Sequence, residues 1–239
     1  MKNTVAIMQR ELLSLFCSPI AYVVIAAFLV VTGVLVLVMD NFAPGKPANL
    51  RGVFQWTPFL LTIIIPAITM RMISEELRNG TLETLVTAPV TDVQIVFGKY
   101  LAGVVFYAVM LATTLVYIVM MMIFGNPDVG AAIAGYLGLF LVGLPFIAFG
   151  LLTSSITKNQ IVAWILGMVP LMLFAWFAAF MVGRVEGWMR TVFREVNVMQ
   201  RFDMFNRGLV TTDSIVFFVG AAGLFLFCTI KMVESRRWR

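Results

Sequence analysis

Six long apolar segments follow one another along the chain, and each is bounded by charged residues. The uncharged stretches lie between Glu11 and Asp40, Arg51 and Arg71, Lys99 and Asp128, Asp128 and Lys158, Lys158 and Arg184, and Asp213 and Lys231. A helix needs about 20 apolar residues to cross about 30 Å of hydrocarbon. Because backbone polar groups cannot stay unpaired in lipid, these segments must be helices. The pattern predicts an all-α polytopic membrane protein with six transmembrane helices in a single domain, residues 1–239.

Residues 1–17 form a separate amphipathic element ahead of the first span. Ser18 and Pro19 are typical of an N-cap followed by the first residue of a new helix, which separates this element from the span. We therefore expect an interfacial helix over residues 1–17. A plain extension of the first span is the alternative. The apolar positions that recur at helical spacing are Val5, Met8, Leu12, Leu15 and Phe16.

The polar loop between the second and third spans, residues 72–98, carries several helix-end signals. Gly80 is placed to cap the second helix, and Thr81 is placed to start a short new one. Pro89 ends that short helix, and Thr91 opens a capping-box pattern for the third span. The pattern predicts a helical hairpin with a short helix across its tip. A solvated connector with good caps is the alternative.

The segment between the fifth and sixth spans, residues 184–213, predicts an amphipathic helix on the outer side. We expect it to lie in the outer interface or to dip back into the bundle. An exposed soluble helix is the alternative, and it would leave Trp188 and Phe193 in water. The apolar face consists of Val185, Trp188, Met189, Val192, Phe193 and Val196.

The distribution of basic residues predicts the orientation of the chain. Ten lysines and arginines fall in the terminal segments and the even-numbered loops, whereas the two short loops on the other side carry only Lys46 and Arg51. The positive-inside rule then places both termini in the cytoplasm. In residues 214–239, the last span and basic tail, a membrane-interface anchor is expected from Arg236, Arg237 and Trp238.

Composition and absent residue types exclude several classes of function. The chain is 61% hydrophobic and 12% charged, which does not suit a soluble fold. It contains no histidine, so Ser-His or Cys-His catalysis and a histidine-ligated metal site are excluded. It has no phosphate-binding loop, so ATP and Mg would bind to a partner and no cofactor to this chain. The net charge of +5 follows from membrane topology, and no nucleic acid partner is expected.

The sequence resembles the type-2 ABC transporter permeases, in particular the short group similar to the gliding-motility and nitrous-oxide-reductase-maturation permeases. The resemblance covers essentially the whole chain. The motifs that carry it are Ser18-Pro19, Pro66-Ala67-Ile68-Thr69-Met70-Arg71, Glu75-Glu76-x-Arg78-x-Gly80-Thr81-Leu82-Glu83-x-Leu85 with Pro89, and Glu234-Ser235-Arg236-Arg237-Trp238.

The resemblance implies a permease subunit of an ATP-driven exporter in the bacterial inner membrane. Residues 1–17, with Arg10 and Glu11, would be the elbow helix, and residues 184–213 the outer re-entrant helices. Two permease copies would pair with a dimer of ABC ATPase subunits, and an outer-side accessory protein is a further candidate partner. The short helix over residues 81–87 would be the cytoplasmic coupling helix. The loop that carries it would contact the ATPase through Glu75, Glu76, Arg78, Thr81, Leu82, Glu83 and Leu85.

Two other classes of function stay open at this point. One is a non-transporting subunit that transmits mechanical force from ATPase cycles to an envelope complex. The other is an intramembrane enzyme, against which the absence of histidine and of intramembrane acids argues. The chain itself is expected not to be an enzyme.

Overall fold

The structure is helical in all of its regular elements. A computed structural model describes residues 2–38, 50–81, 90–124 and 128–236, and no strand occurs in these ranges. The helices are α1 (Lys2–Phe16), α2 (Pro19–Val38), α3 (Arg51–Asn79), α4 (Asp92–Thr113), α5 (Leu115–Phe124), α6 (Val129–Ile156), α7 (Gln160–Val182), α8 (Trp188–Val196), α9 (Val198–Asn206) and α10 (Thr212–Arg236).

Five helical segments in the described ranges are long and apolar enough to cross a membrane. They are α2, α3, α4 together with α5, α6, and α10. The remaining predicted span corresponds to α7, which has 23 residues. Its apolar part, Gln160–Ala175, is shorter than the five segments named above. The all-α polytopic architecture predicted from the sequence is confirmed.

Successive spans run in opposite directions, so the two terminal helices meet the same end of the bundle. At the start of the chain, Glu11 of α1 contacts Lys99 near the beginning of α4, with 3.0 Å between carboxylate and ammonium. At the other terminus, Arg236 of α10 donates a hydrogen bond to the carbonyl of Ile156, the last residue of α6, at 2.7 Å. We call this end of the molecule the Lys99 end.

Helices α3 and α6 form the centre of the bundle, and glycine allows their close packing. A Cβ at Gly150 of α6 would lie 2.1 Å from the hydroxyl oxygen of Thr69 in α3. Small residues at such crossings let the backbones approach and gain van der Waals contact. The outward faces of α2 and α10, by contrast, expose apolar side chains such as Val34 and Phe227. These faces suit contact with lipid tails.

At the end opposite Lys99, α9 enters the bundle and packs against α6. Phe202 and Phe205 of α9 are buried, and a Cβ added to Gly138 of α6 would lie 2.6 Å from Cβ of Phe205. The side chain of Asn206 donates to the carbonyl of Arg51 at 3.1 Å, which ties α9 to the start of α3. Of the two positions expected for the outer segment, α9 therefore adopts the one inside the bundle.

The exposed part of the outer segment is α8. Trp188 at its first position is 76% exposed in the single chain, and Gly187 before it has a positive φ of 70°. Phe193 contacts the ring of Phe177 in α7, with 6.1 Å between ring centroids. Helix α8 therefore rests on α7 and presents Trp188 outward.

The contact at Gly138 yields a prediction about stability. Alanine normally stabilises a helix interior relative to glycine by about 0.5–1 kcal/mol. At Gly138 the added methyl would overlap a Cβ that cannot rotate away, so Gly138→Ala should lower the unfolding free energy by about 1–3 kcal/mol. Thermal unfolding of the purified protein in detergent measures the change.

Gly223 of α10 is the matched control for this substitution. Nothing lies within 4 Å of a Cβ built there. Gly223→Ala should leave the unfolding temperature unchanged or raise it. If Gly138→Ala behaved like Gly223→Ala, the close packing of α9 on α6 would be wrong.

Candidate functional site

Four charged side chains meet at the Lys99 end and form a closed network, which we call the Lys99 cluster. Its members are Arg10 and Glu11 of α1, Glu76 of α3 and Lys99 of α4. The ammonium of Lys99 lies 3.0 Å from Oε1 of Glu11 and 2.9 Å from Oε1 of Glu76. The guanidinium of Arg10 lies 2.8 Å from each of the same two oxygens. Two cations thus bridge two carboxylates that come from different helices.

Lys99 is the most deeply placed member of the cluster. Its side chain is completely buried, and its ammonium also donates to the carbonyl of Met72 in α3 at 2.6 Å. The charge pattern predicts a flanking lysine at the membrane surface. The structure instead buries Lys99 between α1, α3 and α4. A buried charge costs free energy unless it is paired and hydrogen-bonded, and the three oxygens around Lys99 meet that requirement.

Helical periodicity explains how the charges reach the interior. Glu11 lies midway between Ile7 and Leu15 on the face of α1 that packs on the bundle. Lys99 follows buried Ile95 by one helical turn in α4. Glu11 and Lys99 therefore each occupy a position that an apolar residue would fill in an ordinary helix. One lysine or one glutamate at such a position gives no sign of the others in the sequence.

The cluster balances its own charge, and this fixes the protonation of Glu11. Burial alone would raise the pKa of Glu11, but the positive charges of Lys99 and Arg10 outweigh it and hold the pKa below its usual range. The hydrogen bond to Glu11 in turn raises the pKa of Arg10. Both Glu11 and Arg10 are therefore charged at neutral pH. Oε2 of Glu76 is buried and has no hydrogen-bond partner among the described residues.

A serine of α6 holds α3 in place one turn before Glu76. The hydroxyl of Ser154 accepts hydrogen bonds from the backbone N–H groups of Ile73 and Ser74, at 3.1 and 3.0 Å. It donates to the carbonyl of Met70 at 2.8 Å. Because Ser154 is fully buried, these three bonds lock the register of α6 against α3. The part of α3 that precedes Glu76 is thereby fixed to α6 at the centre of the bundle.

The hairpin that leaves this end is capped as its sequence predicts. Gly80 ends α3 with a positive φ of 72°, in the left-handed region that glycine tolerates. Thr91 starts α4 with a complete capping box, because its hydroxyl accepts from the N–H of Gln94 while its own N–H donates to the Gln94 side chain. Residues 82–89, which carry the predicted short helix, lie outside the described residues.

The seven predicted contact residues fall into three groups. Glu75, Arg78 and Thr81 are exposed on the hairpin. Glu76 points into the Lys99 cluster, where its side chain is 14% exposed. The predicted contacts that lie outside the described residues are Leu82, Glu83 and Leu85.

Of the three predicted anchor residues of the tail, Arg236 lies within the described residues. Arg236 bonds to the end of α6 and so contacts protein. Arg237 and Trp238 lie outside the described residues. The predicted elbow residues, Arg10 and Glu11, both belong to the Lys99 cluster.

Comparison with known proteins fits this architecture. A family model described as ABC-2 family transporter protein matches residues 38–230 of the chain. The chain belongs to the ABC-2 transporter family. A comparison with curated proteins found no significant match.

Membership makes this chain a multi-pass transport permease of the membrane. Permeases of the ABC-2 family generally work with an ATPase subunit. The Lys99 cluster lies beside the hairpin of this permease, and its two α1 residues precede the part of the chain that the family model matches.

The burial of Lys99 in this ABC-2 permease yields a prediction. Lys99→Met keeps the length of the side chain but leaves two carboxylates facing Arg10 alone. Breaking a buried ion pair in this way should lower the unfolding free energy by about 3 kcal/mol. Denaturant titration of the purified chain in detergent measures the loss.

Lys231 provides the control, because it is 58% exposed and pairs with Glu234 within α10. Lys231→Met removes the same charge from an exposed pair, which contributes about 0–1 kcal/mol. Equal losses for the two variants would contradict the buried position of Lys99.

Proposed function

We propose that this permease is the membrane subunit of an ATP-driven exporter and that its α3–α4 hairpin docks to a separate ATPase subunit. The observation that carries the proposal is a capped hairpin at the Lys99 end, braced by buried ion pairs, in a chain of the ABC-2 family. A hairpin of this kind can transmit a displacement to the bundle, because ion pairs hold its base and capping residues stabilise its helix ends. The exporter direction follows the resemblance to type-2 permeases.

The length of α3 supports a role for the hairpin outside the membrane. At about 1.5 Å per residue its 29 residues extend about 43 Å. The hydrocarbon core is about 30 Å thick, so about 13 Å, close to a third of the helix, projects beyond it. Glu75 and Arg78, near the C-terminus of α3, are exposed on this projecting part.

The chemistry of the tip residues suits a protein partner. Leu82 and Leu85 can bury in a groove of the ATPase, while Glu75, Arg78 and Glu83 can pair with charges at its rim. Rim charges act mainly on association rate and salt dependence, whereas buried anchors act on dissociation. Glu76 contributes indirectly, because its ion pairs with Arg10 and Lys99 fix the direction in which the hairpin leaves the bundle. ATP and Mg bind to the ATPase in this arrangement.

The docking proposal predicts the effect of placing a charge in the tip. Leu82→Asp or Leu85→Asp should release the ATPase subunit, because an unpaired carboxylate would be buried in its groove. Charge reversal at Glu75 or Glu83 should weaken assembly less, and more at high salt. Co-purification of the ATPase with each variant from membranes measures assembly.

Leu209→Asp is the control for the same chemical change at the opposite end. Leu209 is 56% exposed and lies beyond α9, far from the hairpin. This variant should keep its ATPase. Retention of the ATPase by Leu82→Asp as well would make the hairpin a plain connector.

We propose further that the Lys99 end faces the cytoplasm of a bacterial cell, with both termini on that side. The opposite end also carries arginines, and two of them form ion pairs within the chain. Arg201 pairs with Glu195 at 2.7 Å and with Asp213, and Arg207 pairs with Asp203 at 2.7 Å. Ten of the seventeen lysines and arginines fall in the terminal segments and even-numbered loops, and under the positive-inside rule this bias supports a cytoplasmic Lys99 end.

The orientation can be tested with single cysteines in a chain whose Cys17 and Cys228 have been replaced. Arg190→Cys in α8 and Asn79→Cys in α3 both present exposed positions. A membrane-impermeant maleimide added to intact cells should label Arg190→Cys and leave Asn79→Cys unmodified until the cells are opened. Labelling of Asn79→Cys in intact cells would reverse the orientation.

A further inference from the structure

Helix α1 is joined by sequence to α2 but packs against α4. A Cβ at Gly98 of α4 would lie 2.8 Å from a side-chain carbon of Ile7 and 3.1 Å from the carbonyl oxygen of Thr4. The side chain and backbone of α1 thus lie directly against α4, with no room for a larger residue between them. Near the C-terminus of α1, the rings of Phe16 and Phe106 pack at 5.3 Å.

The polar contacts of α1 are made with α3 and α4. Glu11 binds Lys99 of α4, and Arg10 binds Glu76 of α3. Even the turn between α1 and α2 is held by α3, since the guanidinium of Arg71 donates to the hydroxyl of Ser18 at 2.8 Å. None of the charged partners in the Lys99 cluster belongs to α2.

The cluster lies next to the part of the hairpin on which the ATPase would act. Glu76 precedes the cap at Gly80 by one helical turn, so a displacement of the tip moves Glu76 with it. The oxygen of Glu76 that binds Lys99 also binds Arg10. Any motion that separated α3 from α1 would leave buried charges unpaired, which is strongly unfavourable.

We propose that α1 and the base of the α3–α4 hairpin move as one rigid unit during the ATP cycle, and that Lys99 is the positioning residue that makes α1 follow the hairpin. Since Arg71 also ties Ser18 to α3, the unit ends at that turn and moves against α2, which begins at Pro19. This inference rests on the proposed function, because it assigns to α1 a part in the movement that the ATPase drives. The N-terminal helix is then a moving element of the permease and not a passive anchor.

Spin-label distances within one protomer test the proposal. One label at Gln9→Cys in α1 is paired with a second at Asn79→Cys in the hairpin, or with a second at Val34→Cys in α2; all three positions are exposed. Cys17 and Cys228 are replaced, and labelled chain is diluted into unlabelled chain in nanodiscs. Distances are recorded for the permease alone and for its complex with the co-purifying ATPase, with and without ATP.

In the native complex the α1–hairpin distance should stay constant on ATP binding while the α1–α2 distance shifts. In Lys99→Met the α1–hairpin distribution should broaden, and the α1–α2 shift should be lost. An α1–hairpin distance that changes with ATP in the native protein would overturn the proposal, as would a Lys99→Met variant that moves like the native chain.

A double variant separates positioning from stability. Lys99→Met combined with Glu76→Gln leaves Arg10 and Glu11 as a neutral pair, so no excess charge remains buried. The unfolding temperature should recover toward the native value, but the α1–hairpin distribution should stay broad and the ATP-dependent α1–α2 shift should stay absent. Recovery of both measurements together would mean that Lys99 has a structural role alone.

The measurement on the permease alone distinguishes this inference from the proposed function. A narrow α1–hairpin distribution in the native chain and a broad one in the double variant establish the rigid unit without any ATPase. If no ATPase co-purified with the native chain, the docking proposal would fail while the rigid unit stood. If the distribution were equally narrow in the double variant, the rigid unit would fail whatever the ATPase did.

Discussion

An ammonium group removed from water needs counter-charges within reach, and Lys99 obtains them from two helices other than its own. Glu11 reaches it from α1 and Glu76 from α3, while the carbonyl of Met72 supplies a third oxygen. This requirement fixes the relative positions of three helices at one end of the bundle. The direction of the hairpin and the placement of the N-terminal helix both depend on it.

The rest of the bundle meets a different constraint, which is close packing without a hydrophobic driving force between helices in lipid. Glycines satisfy it at the crossings, where Gly143 receives the ring of Tyr107 and Gly138 receives Phe205. The hydroxyl of Tyr107 finds its acceptor in the carbonyl of Leu139, so the same crossing satisfies a buried polar group. Apolar packing in the centre thus supports the polar cluster at the end, with Ser154 joining the two.

Local signals in the sequence were enough to predict several helix ends. The break before Pro19, the glycine cap at Gly80 and the capping box at Thr91 each depend on a few neighbouring residues, and each is present in the structure. The burial of Lys99 could not be predicted in this way, because its partners lie far away in the sequence. A lysine at the edge of an apolar segment is ordinarily a flanking residue, and only the packing of α1 across α4 makes it an interior one.

Some features of the site residues are likewise predictable from the local sequence, and others depend on tertiary packing. Exposure of Glu75 and Arg78 follows from their place after the apolar part of α3, and the sequence suffices to predict it. Glu76 differs from Glu75 only in the face of the helix on which it lies, yet it binds two cations from other helices. The predicted contact set therefore includes exposed residues that can meet a partner and one residue that orients them from within.

The coupling free energy between Lys99 and Glu11 is the most direct test of this account. It is obtained from a double-mutant cycle with Lys99→Met, Glu11→Gln and the combined variant, each measured by reversible unfolding in detergent. A buried ion pair that joins α1 to α4 predicts that the two losses are not additive, with an interaction of about 1–3 kcal/mol. Losses that add to within about 0.5 kcal/mol would show that the two side chains do not interact and would contradict the account.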